Sequence, residues 1–407
     1  MRTLSGFLLL IGSCCAAQPL LVNEVQCLGA GKGWIELYNA GPAPIPLEGV
    51  RLTLGSRTAL VSDLPLLGPA EHVVLECGSG SKSGSASIDL ELPPTGGTLV
   101  LIAPDGSSIM DLFSWRPVRS GASVGRRYDG ARAIGYFVQA SIGSANVPAN
   151  ALSRALEVPR VHRAPSGTLT LSTNEPDAEI RYSLDGSDPC GDAGHTATTA
   201  ITPAAGSVFS ACAVAPGALA SPIVRCGMLP ERPAPGLQTM LLAASSEDLW
   251  GSERGIDTEG SHANFSRRGT AWLRSGALFV EGSNGTAVTL RIAGSGSRSL
   301  PKRNFVVEPT DSALLSVPGL DPCASLTLRA DASPLAFLRG CFMEEVVRAT
   351  GARVEMQPSV PIDLHLNTED RGLYRAMPTK NADWFSSRIG GGAVDLVAGP
   401  SREVLSG

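Results

Sequence analysis

The sequence has few aromatic and few charged residues, and each shortage excludes a class of protein. Phe, Trp and Tyr make up 5% of the 407 residues. This disfavours a carbohydrate-binding role, because sugar-binding platforms use exposed Trp or Tyr. Charged residues make up only 17%, whereas glycine (46) and proline (30) are plentiful. The composition therefore favours many short strands joined by turns over long, solvated helices.

The chain also lacks an excess of positive charge and long apolar runs. Its formal net charge is −5, so no surplus of Lys and Arg is available to neutralise phosphates, and we expect no nucleic-acid partner. Beyond the N-terminus no apolar run reaches the ~20 residues needed to cross a bilayer, so we expect no transmembrane segment. The length of 407 residues indicates about three domains.

The N-terminus has the three parts of a secretory signal peptide. Arg2 supplies positive charge, residues 7–11 form an apolar core, and residues 15–17 are small enough for cleavage before Gln18. The alternative is a lipoprotein that is acylated at Cys14. In either case residues 1–17 predict a secreted or cell-surface protein with an extracellular partner. The sequence does not predict its oligomeric state.

Residues 18–148 alternate between apolar and polar side chains and show no helical period. Strands are predicted at 20–25, 34–39, 50–54, 72–77, 98–103 and 109–113, so this domain is expected to be an antiparallel β-sandwich. It resembles the lamin tail domain, an immunoglobulin-like fold. The matching segments are Val22-Asn23-Glu24, Trp34–Asn39, Leu47–Val50, Pro104-Asp105-Gly106, Ser123–Arg126 and Ile142–Asn146. The resemblance implies a binding or spacer role.

A linker (149–164) leads to a second all-β domain (165–230). Strands alternate at 168–173 and 180–184, and Asp185-Gly186 predicts a turn between strands. With Asp188-Pro189, these segments resemble the C-terminal immunoglobulin-like module of the chitobiase/β-hexosaminidase family, over residues 155–230. The resemblance implies an accessory β-sandwich without a catalytic role.

The third domain (235–407) contains the loop Gly294–Ser299, which is followed by Lys302 and Arg303. Its two glycines, Gly294 and Gly296, allow the backbone to approach an anion closely. The order of segments around it resembles the spore-coat CotH family of protein-kinase-like enzymes. Those segments are Glu247–Trp250, Glu253–Ile256, Gly294–Arg298, Pro301-Lys302 with Phe305, Leu328-Arg329, and Leu366-Asn367 with Gly372–Tyr374. The resemblance implies that Lys302 contacts nucleotide phosphates and that Arg298 supports the loop.

One helix is predicted in this domain, beginning at Ser333 and Pro334 and ending at Gly351. Its apolar residues recur at helical spacing and are expected to bury one face: Leu335, Leu338, Phe342 and Val346. Glu344 and Glu345 lie on the same helix, where kinases carry the glutamate that pairs with the strand lysine.

The sequence departs from the CotH pattern in two places. Pro378 stands where the family has a glutamate, and the sequence ends at Gly407, before the family's catalytic and metal-binding aspartates. The sequence therefore predicts an incomplete α+β kinase-like lobe and no catalytic residue.

Seven cysteines follow the signal segment: Cys27, Cys77, Cys190, Cys212, Cys226, Cys323 and Cys341. They form no CxxC motif or Cys/His cluster, so no metal site is predicted. Structural disulfides are expected in an exported protein. Cys27 with Cys77, and Cys323 with Cys341, are the only pairs within their domains; the pairing of the other three stays open. Asn264 and Asn284 begin Asn-x-Ser/Thr sequons and are candidate glycosylation sites.

Two functions follow from this reading. The first is a secreted, modular surface or binding protein with two β-sandwiches and an inactive kinase-like lobe, which requires no cofactor. The alternative is an active secretory-pathway protein kinase that uses ATP and Mg²⁺, with this sequence as a fragment of a longer chain.

Overall fold

The structure is a computed structural model that describes residues 19–27, 33–78, 86–191, 194–197, 200–230, 236–269, 272–311, 313–332, 339–351, 356–388, 396–398 and 403–406. The signal segment (1–17) and Cys14 lie outside these residues, and export stays a prediction. The chain is mainly β and contains several sheets, which confirms that part of the predicted fold class. No helix in the described part of the chain is long and apolar enough to cross a membrane.

The first group of strands forms two sheets that share one apolar core. The strands are β1 (Leu20–Gln26), β2 (Trp34–Asn39), β3 (Arg51–Leu54), β4 (Arg57–Leu60), β5 (His72–Cys77), β6 (Ser87–Ile88), β7 (Gly97–Ile102), β8 (Ile109–Trp115), β9 (Ser123–Arg126) and β10 (Ile134–Phe137). One sheet has the order β10-β9-β1-β2-β5-β6, and the other has the order β4-β3-β7-β8. Side chains from both sheets meet in the core, among them Ile35 and Leu37 of β2 and Leu99 and Leu101 of β7. This is the sandwich that the alternation of β2 predicted.

On the other face of the six-stranded sheet, two buried glutamates hold the segment that ends this sandwich. Glu24 and Glu36 lie opposite each other on β1 and β2, and both are fully buried. Glu24 accepts a hydrogen bond from the Ser141 hydroxyl at 2.7 Å. Glu36 accepts one from the Gly143 N–H at 2.7 Å and one from Asn23 Nδ2 at 2.9 Å. Residues 141–146, the closing segment, are therefore anchored by carboxylates.

A third carboxylate, Asp129, completes this anchor. Its Oδ1 accepts the Asn146 N–H at 2.9 Å, and its Oδ2 lies 3.1 Å from Nε2 of His72. Asn146 is itself buried and donates to the Arg126 carbonyl at 2.8 Å. Each buried charge thus has backbone or side-chain partners, as burial of an ionised group requires.

The second group of strands forms a smaller unit with its own core. Its strands are β11 (Arg160–Arg163), β12 (Leu169–Ser172), β13 (Glu179–Ser183), β14 (His195–Thr196), β15 (Val208–Val214) and β16 (Val224–Gly227). Strands β11 and β12 form one sheet, and β14-β13-β15-β16 form the other. Leu169 of β12 and Phe209 of β15 meet in the core between them.

The third group closes into a seven-stranded barrel in the order β17-β18-β19-β20-β21-β23-β22. Its strands are β17 (Gln238–Ala244), β18 (Arg274–Val280), β19 (Thr286–Ala293), β20 (Asn304–Pro309), β21 (Leu326–Arg329), β22 (Val360–Leu366) and β23 (Glu369–Pro378). Closure depends on β17 and β22, which pair in parallel, whereas the other strand pairs of the barrel are antiparallel. The sequence predicted a partial α+β kinase-like lobe in this region. The structure instead joins the first strand to the sixth, so the sheet has no open edge.

Among the described residues, three α-helices and a hairpin of two short strands accompany the barrel. They are α1 (Ser246–Trp250), α2 (Arg339–Thr350), α3 (Ala382–Arg388), β24 (Leu396–Ala398) and β25 (Glu403–Ser406). The outer face of β17 and β18 packs against the second unit, where Leu241, Ala243 and Phe279 form one apolar cluster with Val208.

Helix α2 does not bury the face that its sequence predicts. Phe342 is 66% exposed and Val346 is 37% exposed, so that prediction is wrong for these two residues. The helix is connected to the barrel through a polar contact, in which Glu344 accepts a hydrogen bond from Arg375 of β23 at 2.7 Å. Residues 333–338, which include the predicted cap and the other two apolar positions, lie outside the described residues.

Candidate functional site

The loop Gly294–Ser299 begins with a glycine that no other residue can replace easily. Gly294 has φ of +92°, and a Cβ there would lie 2.2 Å from Oγ of Ser297. The chain then makes a 3₁₀ turn at Gly296–Ser299. A Cβ at Gly296 would meet no atom within 4 Å. Gly294 therefore shapes the loop, and Gly296 leaves open space in front of its backbone.

Arg298 holds this loop together from inside. Its side chain is buried and donates hydrogen bonds to the carbonyls of Gly294 (2.6 Å), Phe265 (3.1 Å) and Arg267 (2.9 Å), and also to Ile292. These bonds join the loop to the segment before β18. The predicted supporting role of Arg298 fits this geometry, whereas direct contact with a ligand does not.

Arg303 also has a structural role at the same end of the barrel. Its guanidinium lies 3.0 Å from Oδ1 of Asp257, and Arg371 lies 2.6 Å from Oδ2 of the same carboxylate. Burial raises the pKa of Asp257, and the charges of Arg371 and Arg303 oppose that shift. Two arginines thus share one buried carboxylate beneath the loop.

Lys302 lies between the loop and the start of β23. Its Nζ donates to the Leu373 carbonyl at 2.6 Å and lies 4.6 Å from the centre of the Tyr374 ring. Burial lowers the pKa of Lys302, as does the charge of Arg371, while Asp370 and Asp363 attract the ammonium and raise it. The lysine is therefore held in place at the barrel rim by a carbonyl and a ring.

A cleft of about 590 Å³ joins the loop to helix α2. Its described lining comprises Gly296, Ser297, Leu300, Lys302, Asn304, Arg329, Asp331, Ala332, Arg339, Gly340 and Met343. Three of these residues are cations and one is an acid. The structure thus brings Gly296 and Lys302 to one surface together with Arg329 and Arg339, while Gly294 and Arg298 line a different cavity.

Asp331 forms ion pairs with two arginines and adopts an unusual backbone conformation. It has φ of +45° and accepts from Arg329 at 2.7 Å and Arg375 at 2.5 Å. Burial lowers the pKa of Arg375, but its hydrogen bonds to Asp331 and Glu344 outweigh burial and leave the pKa raised. Glu344 therefore pairs with Arg375 and not with Lys302, unlike the helix glutamate of kinases.

The predicted Cys27–Cys77 and Cys323–Cys341 disulfides do not form in this structure, where all four residues are thiols. Cys27 and Cys77 lie on opposite sides of β2, because β1 pairs with one edge of β2 and β5 with the other. Two strand spacings are about 9.5 Å, which exceeds the roughly 7 Å that a disulfide spans. The structure instead joins Cys190 to Cys212, from the three cysteines whose pairing the sequence left open.

The two sequons differ in exposure. Asn264 is 1% exposed and its Nδ2 donates to the Ser252 carbonyl at 2.9 Å. The nitrogen that carries a glycan is therefore inaccessible in the folded chain. Asn284 is exposed in the turn between β18 and β19, and it remains a candidate.

Several residues in and around the cleft could not be identified from the sequence. Asp331, Arg339 and Arg375 belong to no motif, because they meet only through the pairing of β21 with β23 and the position of α2. The alternation Asp363-Leu364-His365 on β22 was a usable signal, since it places two potential metal ligands on one face of a strand. Asp370 joins them after a tight turn.

Comparison with known proteins identifies one part of the chain. Residues 169–225, which span most of the second group of strands, match the family model described as Fn3 associated. No curated protein matches the chain. The second unit is therefore an immunoglobulin- or fibronectin-like β-sandwich domain.

Proposed function

We propose that this protein is a modular binding protein, in which two β-sandwich units carry a barrel that binds a phosphate-bearing ligand in the loop cleft. The observation that carries this proposal is the convergence of Lys302, Arg329 and Arg339 on one cleft beside Gly296. Guanidinium groups bind phosphate through paired N–H donors, and lysine adds a compact charge. The cleft volume of about 590 Å³ is in the usual range for small-molecule sites.

The resemblance to the CotH family makes ATP the first ligand to test. The resemblance of the first unit to the lamin tail domain implies a binding or spacer role, and that of the second unit to the chitobiase C-terminal module implies an accessory, non-catalytic role. The signal segment adds export to the cell surface or medium. On this proposal the sandwiches meet an extracellular partner, and the barrel holds the charged ligand without transferring its phosphate.

Titration of ATP into the full chain, without Mg²⁺, tests the proposal. Lys302→Ala is expected to weaken ATP about ten- to a hundredfold, because a charge-assisted hydrogen bond contributes about 1.5–3 kcal/mol. Lys380→Ala is the matched control. Its ammonium lies 5.7 Å from the Trp384 ring centre, so it removes a similar lysine–aromatic contact outside the cleft. Equal affinity of wild type and Lys302→Ala for ATP would exclude the cleft as a phosphate site.

The same material distinguishes the alternative function. Incubation with labelled ATP, Mg²⁺ and a mixture of acceptor proteins is expected to give no labelled product. Transfer of label that Lys302→Ala abolishes would favour the secretory-pathway kinase over the binding protein.

A further inference from the structure

The outer face of the barrel carries three neighbouring side chains of the types that ligate metals, and none of them lines the cleft. Asp363 and His365 alternate on β22, and Asp370 lies opposite His365 on β23. One ligand atom from each can be chosen so that all three lie within 4.8 Å of one another. Nε2 of His365 is 3.0 Å from Oδ2 of Asp363. This separation is close to the roughly 3.0–3.4 Å between neighbouring ligands of an ion that binds each at about 2.1 Å.

A fourth polar group lies beside Asp363 on the same face of the sheet and has no hydrogen-bond partner. Thr239 is 3% exposed, and its hydroxyl forms no hydrogen bond. It lies directly opposite Asp363 in the parallel pairing of β17 with β22. Met240 and Ile362, the next residues along, point into the barrel core, so Thr239 and Asp363 both point outwards. A buried hydroxyl without a partner costs free energy, and a bound ion would use it.

We propose that Asp363, His365, Asp370 and Thr239 form a binding site for a divalent transition-metal ion of the Mn²⁺ type. One imidazole nitrogen with carboxylate and hydroxyl oxygens suits such an ion better than an all-oxygen ion such as Ca²⁺. The register shift between Leu364 and His365 places His365 opposite Asp370 instead of Arg371. Bulges commonly redirect a side chain towards a site in this way.

The surroundings of the site limit its affinity for a divalent cation. Asp370 is exposed, so an ion can enter from solvent. The Lys302 ammonium lies nearby, because it donates to the carbonyl of Leu373, the residue that pairs with Asp363, and its charge opposes a second cation. We therefore expect micromolar and not nanomolar affinity for Mn²⁺. Metal binding here does not depend on phosphate binding in the cleft, so either proposal can be disproved without affecting the other.

The test is a titration of the untagged full chain with Mn²⁺, in which electron paramagnetic resonance counts the free ion. Mn²⁺ is chosen because the free thiols of this chain bind it weakly. Wild type is expected to bind one equivalent. His365→Gln and Asp370→Asn should each weaken Mn²⁺ tenfold or more, because each removes a ligand. Ca²⁺ at equal concentration should displace little Mn²⁺.

Two further variants keep the result interpretable. His262→Gln alters another histidine–carboxylate pair, which is exposed and in which the imidazole lies 3.1 Å from Glu253. It should leave Mn²⁺ affinity unchanged. Thr239→Val should weaken Mn²⁺ several-fold and raise thermal stability without metal, because it removes the unpaired hydroxyl. The proposal is overturned if wild type binds less than one equivalent, if His365→Gln binds like His262→Gln, or if Thr239→Val leaves Mn²⁺ affinity unchanged.

Discussion

The first sandwich and the barrel each contain a histidine within about 3 Å of an aspartate and next to other carboxylates, but the two clusters differ in what occupies the oxygens. In the sandwich, Glu24, Glu36 and Asp129 accept bonds from the closing segment 141–146. In the barrel, Oδ2 of Asp363 lies 3.0 Å from Nε2 of His365, Oδ1 of Asp370 accepts the Gly372 N–H at 2.7 Å, and the nearby hydroxyl of Thr239 has no partner. Similar residue types therefore form a structural anchor in one place and a candidate ligand site in the other. The two clusters differ in the source of the donors, which come from a separate segment of the chain in the sandwich and from the same strand pair, β22 and β23, in the barrel.

The largest expected effect concerns Asp257, a barrel carboxylate that is anchored by two arginines, in contrast to Asp370 at the candidate metal site. Asp257→Asn should lower the free energy of unfolding of the barrel by about 3–5 kcal/mol, because it removes the buried negative charge that the partly buried Arg303 and Arg371 share. Hydrogen exchange of peptides from β20 and β23 measures this loss. Asp370→Asn is the matched control, and as an exposed substitution it should change the same peptides by about 0.5 kcal/mol or less. Equal losses for both variants would remove the distinction between anchored and open carboxylates.

An intermediate effect is expected in the sandwich. Glu24→Gln should destabilise this unit by about 2–3 kcal/mol, because an amide cannot accept all the bonds that the carboxylate receives from the Ser123 and Ser141 side chains. Exchange of β1 and β2 peptides should rise while barrel peptides stay unchanged. Glu76→Gln, on the exposed side of β5, provides the control. A Glu24→Gln protein with unchanged exchange in residues 134–146 would contradict the anchoring role.

The smallest expected effect concerns pH. Burial raises the pKa of Glu36, and hydrogen bonds from Asn23 and Gly143 offset this only in part. Between the ordinary and the raised pKa the folded state binds more protons than the unfolded chain, so Glu36 contributes stability at low pH that is lost as the pH rises through this window. Wild type should therefore lose stability relative to Glu36→Gln between pH 4 and neutrality. Protection factors of β1 and β2, corrected for the intrinsic exchange rate at each pH, measure the difference, and a constant difference would contradict it.

Much of the strand pattern follows from the sequence, because period-two alternation is a local property. The prediction of strands 34–39 and 72–77 matches β2 and β5 exactly in extent. Strands β4, β6, β9 and β10 were missed, since they are short and flank turns. For β2 the alternation predicted one apolar face, but Glu36 on the other face is buried as well.

Properties that depend on distant residues did not follow from the sequence. The Cys27–Cys77 bridge was inferred because no other partner was present in the domain, and only the strand order shows that β2 lies between the two thiols. Barrel closure depends on a parallel pairing between residues about 120 positions apart, for which β17 carries no local signal. In the candidate site, Gly296 and Lys302 could be chosen from their motif, whereas Arg339 and Asp331 required the fold.

The parallel pairing of β17 with β22 also sets the order of events during synthesis. Ribosomes add about 5–20 residues per second, so β17 waits roughly 6–25 s before β22 has been made. During that interval Met240 and Leu242, which later enter the barrel core, have no barrel to enter. The second unit precedes β17 in the chain and can fold first, and its Val208 packs against Leu241 and Ala243. The fibronectin-like domain can thus shield one side of a nascent edge strand until the barrel closes.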